Sequence, residues 1–250
     1  MLVQGNQQAT ASWFTGMLEG EGHFEKRDYN FFRVHLSNTD LDLILVCEEF
    51  LAKSSVLFTR QEETRKTKAG KTAYRIYISS QDARNLYVKI RSSLQCRRDQ
   101  YANIVGASET ECDAPLTVDL QWLIGVWQAE GTFYIAKNHK GVLVPYASLE
   151  NTNSKIIAKV VMTLKDLGCS WYCKDFIPTV KKPYTRVQIS GMKRLQRFLN
   201  KTQGLWLGRR DNLRTSLMLE FINSRLSKHQ GVSYNDREQQ IYHLIRDQNR

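Results

Sequence analysis

The chain has 250 residues, of which 42% are hydrophobic, and it carries a formal net charge of +11 with a pI of about 9.5. That length suits one large domain or two small ones, and the hydrophobic content excludes disorder on a large scale. The basic charge favours an anionic partner, nucleic acid first and an acidic membrane surface second, although a merely soluble basic protein stays open.

The first half of the chain, residues 1–105, predicts the order α-β-β-α-β-β-α. Thr10 or Ser12 suits the N-cap of a first helix that ends at Gly20–Gly22. The segments "HFEKRD" and "FFRVHLSN" alternate around a turn, which predicts a hairpin. Thr39 suits the N-cap of a second helix, "DLDLILVCEEFLAK", whose apolar residues recur at helical spacing.

A second hairpin and further helices complete this half. The segments "VLFTRQ" and "TAYRIYISS" flank a basic loop, "EETRKTKAGK", and predict two paired strands. Ser80 suits the N-cap of the next helix, and a further helix is expected from about Asp99. Residues 106–117 lack apolar periodicity and contain Pro115, which indicates a linker.

The second half, residues 118–227, repeats this order. Thr117 suits the N-cap of its first helix. The segments "TFYIAKNH" and "VLVPYASLEN" predict one hairpin, and "CSWYCKDF" and "YTRVQIS" predict another. Residues 228–250 have no counterpart in the first half, and they predict a C-terminal helical extension that begins at about Asn235.

Four pairs of matching segments, in the same order, show that the chain is duplicated. "WFTGMLEGEGHF" matches "WLIGVWQAEGTF", "LSNTDLDLI" matches "LENTNSKII", "RIYIS" matches "RVQIS", and "CRRDQ" matches "GRRDN". The separation is close to 110 residues in every pair. Four collinear matches at one spacing indicate a repeated structural unit rather than chance.

The five cysteines are odd in number and scattered, so they indicate a reducing compartment rather than a disulfide framework. Cys169 and Cys173 form a C-x3-C pair without a second Cys/His pair, which disfavours a structural zinc. Charge interrupts the apolar runs well before membrane-spanning length, and the N-terminal segment does not have the pattern of a secretory signal. We expect an intracellular protein with no membrane partner.

Both halves place a glutamate where the first helix ends, Glu21 in "GMLEGEGHF" and Glu130 in "GVWQAEGTF". Small residues four apart would let the two helices approach closely and bring the two carboxylates together near a pseudo-two-fold axis. A hard cation such as Mg²⁺ would neutralise such a pair, and phosphodiester hydrolysis on two strands needs one. The competing interpretation is a glycine-capped helix end with an incidental glutamate, which the duplication disfavours. The small residues are Gly16, Gly20, Gly125 and Ala129.

This pattern resembles the LAGLIDADG homing endonucleases in their single-chain, two-repeat form. The resemblance covers about residues 10–226 and rests on the two helix ends and on the hairpin-helix-hairpin order after each. It implies an α+β fold: two pseudo-symmetric αββαββα units that form a saddle of antiparallel sheets, with helices on the outer face and a central two-helix interface. The chain departs from the family name by having Glu where the namesake has Asp, and Glu still binds Mg²⁺.

The same resemblance assigns roles to residues around the helix ends. It implies that Glu21 and Glu130 are metal-binding catalytic acids, assisted by the backbone carbonyls of Gly20 and Ala129. The metal would be Mg²⁺ or Mn²⁺, while Ca²⁺ could occupy the site without supporting cleavage. The position two residues before each acid differs between the halves, Glu19 against Gln128, so it is not expected to bind metal.

Two further pairs of matched residues are candidates for the active site. In similar enzymes a polar residue at the position of Asn38 and Asn151 orders water around the metals, whereas the bland alternative is a cap of the following helix. Arg98 and Arg210 stand where the family often has a basic residue near the scissile phosphates. Arginine does not act as a base at neutral pH, so its role would be charge stabilisation. The neighbouring Arg97 and Arg209 compete for that role.

Strand alternation separates inward from outward residues, with Phe24, Val34, Leu36, Ile76 and Ile78 predicted to face the helices. The outward side chains mix charged, amide, hydroxyl and aromatic groups, which suits base edges in a major groove. Lysines in the two long hairpin loops would hold phosphates, or they are merely solvated. The expected DNA-binding strand residues are His23, Glu25, Arg27, Arg33, His35, Ser37, Arg75, Tyr77, Thr132, Tyr134, Lys137, Tyr146, Ser148, Lys174, Arg186 and Gln188, and the loop residues are Lys66, Lys68, Lys71, Lys181 and Lys182.

The sequence therefore predicts a monomeric, sequence-specific endonuclease that hydrolyses one phosphodiester on each strand of double-stranded DNA and leaves short 3′ overhangs. Enzymes of this kind are typically encoded in introns or inteins and help to spread them, and we expect the intron-encoded, free-standing form. The alternatives are an intron RNA maturase, with intron RNA as its partner, and a non-catalytic DNA-binding regulator on the same scaffold. An HNH nuclease is disfavoured because the five histidines are scattered. An organelle (mitochondrion or chloroplast) and a prokaryotic or phage-infected cytoplasm suit such a protein equally well.

Overall fold

A computed structural model describes most of the chain, and it divides into two compact units between Ala129 and Glu130. The described residues are 8–26, 31–63, 70, 72–107, 119–180, 182–228 and 232–248. No helix among them is both long and apolar enough to cross a membrane. The predicted linker, residues 106–117, lies almost entirely outside the described residues, as does the predicted cap Thr117.

The first unit is a four-stranded antiparallel sheet with helices on one face. Its strand order is β1-β2-β4-β3. The inward residues predicted from alternation are buried, among them Val34 and Ile76, which confirms the orientation of these strands. The elements are α1 (Ala11–Glu21), β1 (Gly22–Lys26), β2 (Phe32–Asn38), α2 (Leu41–Lys53), β3 (Thr59–Glu62), β4 (Tyr74–Ser79), α3 (Ser80–Ile90) and α4 (Arg98–Val105), followed by α5 (Leu120–Glu130), whose last residue belongs to the second unit.

Three of the predicted helix caps can be compared with the structure. The Thr10 hydroxyl accepts a hydrogen bond from Trp13 N at 3.1 Å, which confirms the cap of α1. The prediction for α2 was one residue early, because Asp40 rather than Thr39 is the N-cap and accepts from Asp42 N at 3.1 Å. The prediction of Ser80 as a cap was wrong, since Ser80 is the first residue of α3, with φ of 31°.

The second unit repeats the architecture, with the strand order β5-β6-β8-β7 matching that of the first sheet position by position. The duplication inferred from the sequence is therefore also a duplication of fold. The elements are β5 (Gly131–Lys137), β6 (Leu143–Asn151), α6 (Ser154–Asp166), β7 (Tyr172–Phe176), β8 (Tyr184–Ser190), α7 (Met192–Thr202), α8 (Arg209–Leu226) and α9 (Asp236–Gln248).

The C-terminal extension is a helix, α9, that packs on α8 and β5. Asn235 and Glu238 form a capping box, in which Asn235 Oδ1 accepts from Glu238 N at 2.8 Å and Glu238 Oε2 accepts from Asn235 N at 3.0 Å. The Glu238 carboxylate is fully buried and pairs with Lys228 at 2.8 Å and Arg225 at 3.4 Å. The predicted start near Asn235 is confirmed, and a buried ion cluster attaches the helix to the second unit.

Helices α1 and α5 meet inside the first unit through the small residues that the sequence singles out. A Cβ added at Gly16 would lie 2.2 Å from Trp122 O, and one added at Gly125 would lie 2.1 Å from Trp13 O. Real side chains never approach a carbonyl so closely, so glycine is required at both positions. This contact confirms the predicted two-helix interface at Gly16 and Gly125, and it groups α5 as far as Ala129 with the first unit.

Candidate active site and nucleic-acid face

Glu21 is the last residue of α1, and the end of β2 lies beside it. The chain turns directly from Glu21 into β1, whose first residue pairs with Leu36 of β2, so Asn38 falls next to the carboxylate. Asn38 Nδ2 donates to Glu21 Oε1 at 3.3 Å, and Asn38 Oδ1 accepts from Asp40 N at 2.8 Å. The bond to Asp40 fixes the orientation of the amide, so that its N–H₂ group faces Glu21.

The second unit contains the same arrangement at the end of α5. Asn151 Nδ2 donates to Glu130 Oε1 at 3.3 Å, and Asn151 Oδ1 accepts from Asn153 N at 2.7 Å. The carbonyl oxygen of each asparagine holds the turn before the next helix, in line with the capping alternative, while the amide donates to the glutamate. Each unit therefore presents a half-buried glutamate oriented by a buried or half-buried asparagine. The ordering of water around metals stays a prediction.

The oxygen donors at each helix end have the chemistry of a hard-cation site. They are the carboxylate of Glu21 or Glu130 and the preceding backbone carbonyl, of Gly20 or Ala129. Across the described ranges, no three His, Cys, Asp or Glu side chains cluster closely enough to cage a metal, and this includes Cys169 and Cys173. Mg²⁺ needs no such cage, because it keeps several waters and shares its shell with substrate phosphates. The residues present therefore fit Mg²⁺ bound by one carboxylate at a time.

Glu19, two residues before Glu21 in α1, has a structural role. Its carboxylate is 1% exposed, and it accepts from the backbone N–H groups of Cys96 at 2.7 Å and Arg97 at 2.6 Å and from the indole of Trp122 at 2.6 Å. Burial raises the pKa of this carboxyl, although these hydrogen bonds oppose the rise. Glu19 thereby ties the start of α4 and helix α5 to α1, and its side chain is not available to a metal.

The contacts of Gln128, which occupies the position of Glu19 in the second repeat, show why a glutamate is not needed there. Its Oε1 accepts from Trp13 Nε1 at 2.8 Å, just as Glu19 Oε2 accepts from Trp122 Nε1. The two helices therefore exchange one indole hydrogen bond in each direction, and a neutral amide oxygen suffices for that. The sequence set this position apart from the predicted metal site because the two repeats differ there, but it did not predict the exchange, whose signal was a tryptophan at the same position of both repeats.

The arginine pair at the start of α4 contacts backbone carbonyls, and Arg97 does so next to Glu21. Arg97 Nη1 donates to Gly22 O at 2.6 Å and to Glu19 O at 3.2 Å, so it closes the C-terminus of α1. Arg98 Nη2 donates to Leu94 O at 3.0 Å. In the second unit, Arg210 lies 3.6 Å from Asp211. Charge stabilisation by Arg98 and Arg210 stays a prediction, and Arg97 is the member of its pair that touches the helix end carrying Glu21.

The outward face of the first sheet carries a row of rings across three strands. His23, His35 and Tyr77 are neighbours in register, with centroids 4.8 Å apart for the histidine pair and 5.6 Å apart for His35 and Tyr77. Arg75 donates to Ser37 Oγ at 2.7 Å and to the Tyr77 hydroxyl at 3.0 Å, and it also pairs with Glu63. All these predicted DNA contacts share one face.

His35 is neutral at physiological pH despite its place on a basic face. Burial, followed by the charges of Arg75 and His23, lowers the pKa of its imidazole to about 4, with Glu25 opposing. A neutral ring offers one donor and one acceptor, which suits a base edge better than a phosphate. Glu25 lies opposite Arg33 in the strand register, on the same outward face.

The second sheet presents a different set of side chains. Tyr134 and Tyr146 stack with centroids 5.1 Å apart, and Gln188 Nε2 donates to the Tyr134 hydroxyl at 2.7 Å. Thr132 and Ser148 are cross-strand neighbours on this face. Ser148 is only 4% exposed, so its burial argues against the predicted DNA contact. Amide, hydroxyl and phenol groups dominate here, where arginine and histidine dominate in the first unit.

Charged residues border the second face. Arg186 pairs with Glu150 at 2.5 Å and lies 4.6 Å above the ring of Phe176, with Lys174 5.1 Å above the same ring. Lys137, at the end of β5, and Lys182, two residues before β8, are exposed. The remaining predicted contacts fall outside the described residues, namely Arg27, Lys66, Lys68, Lys71 and Lys181.

The fold and the two glutamate-asparagine pairs define a class of protein: a duplicated α+β chain with an acid at the end of the first helix of each repeat. Comparison with known proteins is consistent with this class. Residues 9–91 match the family described as LAGLIDADG-like domain. A protein of Methanocaldococcus jannaschii described as uncharacterized protein MJ0314 is 28% identical over 174 residues, which are 68% of this chain and 59% of that relative.

Solved structures extend the likeness to both halves. The LAGLIDADG homing endonuclease I-LtrWI bound to target DNA has a TM-score of 0.66 at 11% identity, over 95% of this chain and 96% of that one. I-SmaMI bound to cleaved DNA has a TM-score of 0.63 at 12% identity, over 98% and 97%. Residues 9–91 are therefore similar to a LAGLIDADG-like domain, and the chain as a whole has the fold of these LAGLIDADG homing endonuclease structures.

Proposed function

We propose that this chain is a sequence-specific DNA endonuclease that hydrolyses one phosphodiester on each strand of a long double-stranded target with a divalent cation, leaving short 3′ overhangs. One observation carries the proposal. Both repeats end their first helix with a half-buried glutamate that an asparagine amide orients at 3.3 Å. A binding-only protein has no need for an oriented, partly desolvated carboxylate at the same position of both repeats.

The bound cation would supply a Lewis acid and a water of lowered pKa at each scissile phosphate. Glu21 and Glu130 would each hold such a cation, with the preceding backbone carbonyl of Gly20 or Ala129. Asn38 and Asn151 keep each carboxylate in one orientation, because their own amides are fixed by the following turns. The arrangement of Glu21 relative to Glu130 stays a prediction from the sequence.

The two faces would divide the reading of the target. Arg33, Arg75 and neutral His35 in the first unit suit guanine edges, because arginine binds guanine O6 and N7 in a bidentate manner. Tyr134 and Gln188 in the second unit suit adenine and thymine, since glutamine matches adenine N6 and N7. The target is therefore expected to be asymmetric, and the chain is expected to act as a monomer.

A cleavage selection on a randomised duplex library with Mg²⁺ tests this function. The wild type is expected to yield one long, partly palindromic site, and Glu21→Gln and Glu130→Gln should each reduce double-strand cleavage at least a hundred-fold while duplex binding persists. Glu49→Gln, on the exposed surface of α2, is the matched control. Binding of a selected duplex without cleavage by any variant would favour the regulator, and selective binding of a structured RNA would favour the maturase.

A further inference from the structure

A cavity of about 430 Å³ opens at one corner of the outward sheet face in the first unit. It lies at the start of β2, the end of β4 and the start of β3, at the opposite end of β2 from Asn38. Its lining includes Arg33 and Tyr77 from the sheet, Phe31 and Leu57 from the segments that precede β2 and β3, and Asp82 from the first turn of α3. None of these positions belongs to the glutamate-asparagine pair.

Flat groups that stack line the cavity. The Arg33 guanidinium lies 4.9 Å from the centroid of Tyr77 and 5.7 Å from that of Phe31. Phe31 is 37% exposed and Leu57 is 76% exposed, so both leave apolar surface open to solvent beside a basic face. Aromatic rings and the guanidinium plane are the two kinds of group on which proteins stack unpaired bases.

The cavity also contains a hydrogen-bond acceptor held in place. Asp82 Oδ1 accepts from Leu57 N at 3.1 Å, which anchors the segment before β3 to the start of α3. An anchored carboxylate beside a stacking surface accepts hydrogen bonds from the amino groups of cytosine, adenine or guanine, and thymine has no such group. The cavity therefore combines a stacking surface with a means of telling bases apart.

The flat groups of the cavity favour an unpaired base over a paired one. A base inside a duplex covers both of its faces with its neighbours and shows a protein only its edge, whereas this corner presents flat groups that need the face of a ring. The corner opens on the same outward face as Arg75 and His35, in a chain of net charge +11, so a polyanion is the partner that the charge favours.

We propose that this corner binds a single unpaired nucleobase of a nucleic-acid strand held on the first sheet. The proposal rests on the nucleic-acid partner of the proposed function but not on cleavage. The corner would receive a base from a single-stranded flank or a base turned out of a distorted duplex, while the strands read paired bases nearby.

The test compares a short single-stranded DNA of mixed sequence with the blunt duplex of the same sequence, by fluorescence anisotropy without divalent cation. Phe31→Ala is expected to weaken single-strand binding about ten-fold, the order of one lost base stack, and to change duplex binding less than two-fold. Val88→Ala on α3, where Val88 is 65% exposed, is the matched control and should change neither. Both positions are on the surface, and an unchanged melting temperature confirms folding.

A second variant tests the acceptor. Asp82→Asn should reduce the preference of the wild type for oligocytidine over oligothymidine, and an RNA of the same sequence shows whether the strand is DNA or RNA. Equal losses on single strand and duplex in Phe31→Ala, or no loss on either, would overturn the proposal. These binding readouts need no metal, so an absence of cleavage would count against the endonuclease and leave this inference standing.

Discussion

Replacing Glu19 with alanine is expected to destabilise the first unit strongly, although Glu19 lies outside the proposed metal site. The change leaves the N–H groups of Cys96 and Arg97 and the indole of Trp122 buried without their acceptor. Each hydrogen bond to a charged group contributes about 1.5–3 kcal/mol, and release of a buried carboxylate offsets part of the loss. The net cost is therefore about 3–5 kcal/mol.

Glu19→Gln is the informative partner of that variant. Glu19 Oε1 accepts from Cys96 N and Arg97 N, Oε2 accepts from Trp122, and Gln95 N contacts both oxygens, so an amide keeps one set of donors and turns its own N–H₂ towards the other. About 2 kcal/mol should be lost, between the alanine variant and the wild type. Glu49→Gln, whose side chain is 59% exposed, is the control and should stay within about 0.5 kcal/mol.

Chemical and thermal unfolding of the full chain measure these differences. In a domain of this size 1 kcal/mol shifts the melting temperature by roughly 2–4 °C, so Glu19→Ala should melt roughly 10 °C below the wild type. A Glu19→Ala protein within 1 kcal/mol of the wild type would refute the assignment of Glu19 as a buried acceptor. If Glu19→Gln lost as much stability as Glu19→Ala, the assignment of different hydrogen-bond donors to the two carboxylate oxygens would be wrong.

Three further changes test other parts of the structure. Gly16→Ala should cost about 3 kcal/mol or more by unfolding, because the added Cβ meets Trp122 O at 2.2 Å and the helices have to separate; an unchanged stability would contradict that close approach. Burial opposes ionisation of Glu238, but Lys228 and Ser224 lower its pKa overall, so its stabilisation is present above the unfolded pKa of 4.5 and is lost as pH falls through the lower folded value. Glu238→Gln should lose about 2 kcal/mol near pH 7 and progressively less as the pH falls below 4.5, and a loss independent of pH would argue against the ion cluster. Folding lowers the pKa of His35 from 6.5 to about 4, so protonation between those pH values favours the unfolded chain. Compared with His35→Asn, the wild type should lose about 1–2 kcal/mol of stability from pH 7 to 4, a figure that is reduced because the ring is half-exposed. Identical pH dependence of stability in the two proteins would rule out the shift.

How much of the candidate site could be predicted differs from residue to residue. Glu21 and Glu130 could be singled out because the duplication places each at a helix end, and the asparagines because a matched "NT" begins at the end of each hairpin. Their catalytic roles stay predictions. Arg97 could not be separated from Arg98, because which one reaches Gly22 O depends on the direction in which α4 begins. Ser148 lies in outward register, between Thr132 and Gln188, and is nevertheless buried, which alternation along one strand does not predict.

By itself the sequence determined what periodicity and repetition encode: two αββαββα units, the inward and outward sides of each strand, glycines at a helix contact, and an acid at each helix end. These features depend on local geometry, since side-chain direction follows from residue spacing along a helix or strand. Only the tertiary structure decided which partners meet across long stretches of chain. Such contacts include the indole hydrogen bonds exchanged between α1 and α5, the hydrogen bonds by which Glu19 joins α1, α4 and α5, and the stacking of Arg33 on Tyr77. They join residues far apart in sequence, and no local pattern specifies them.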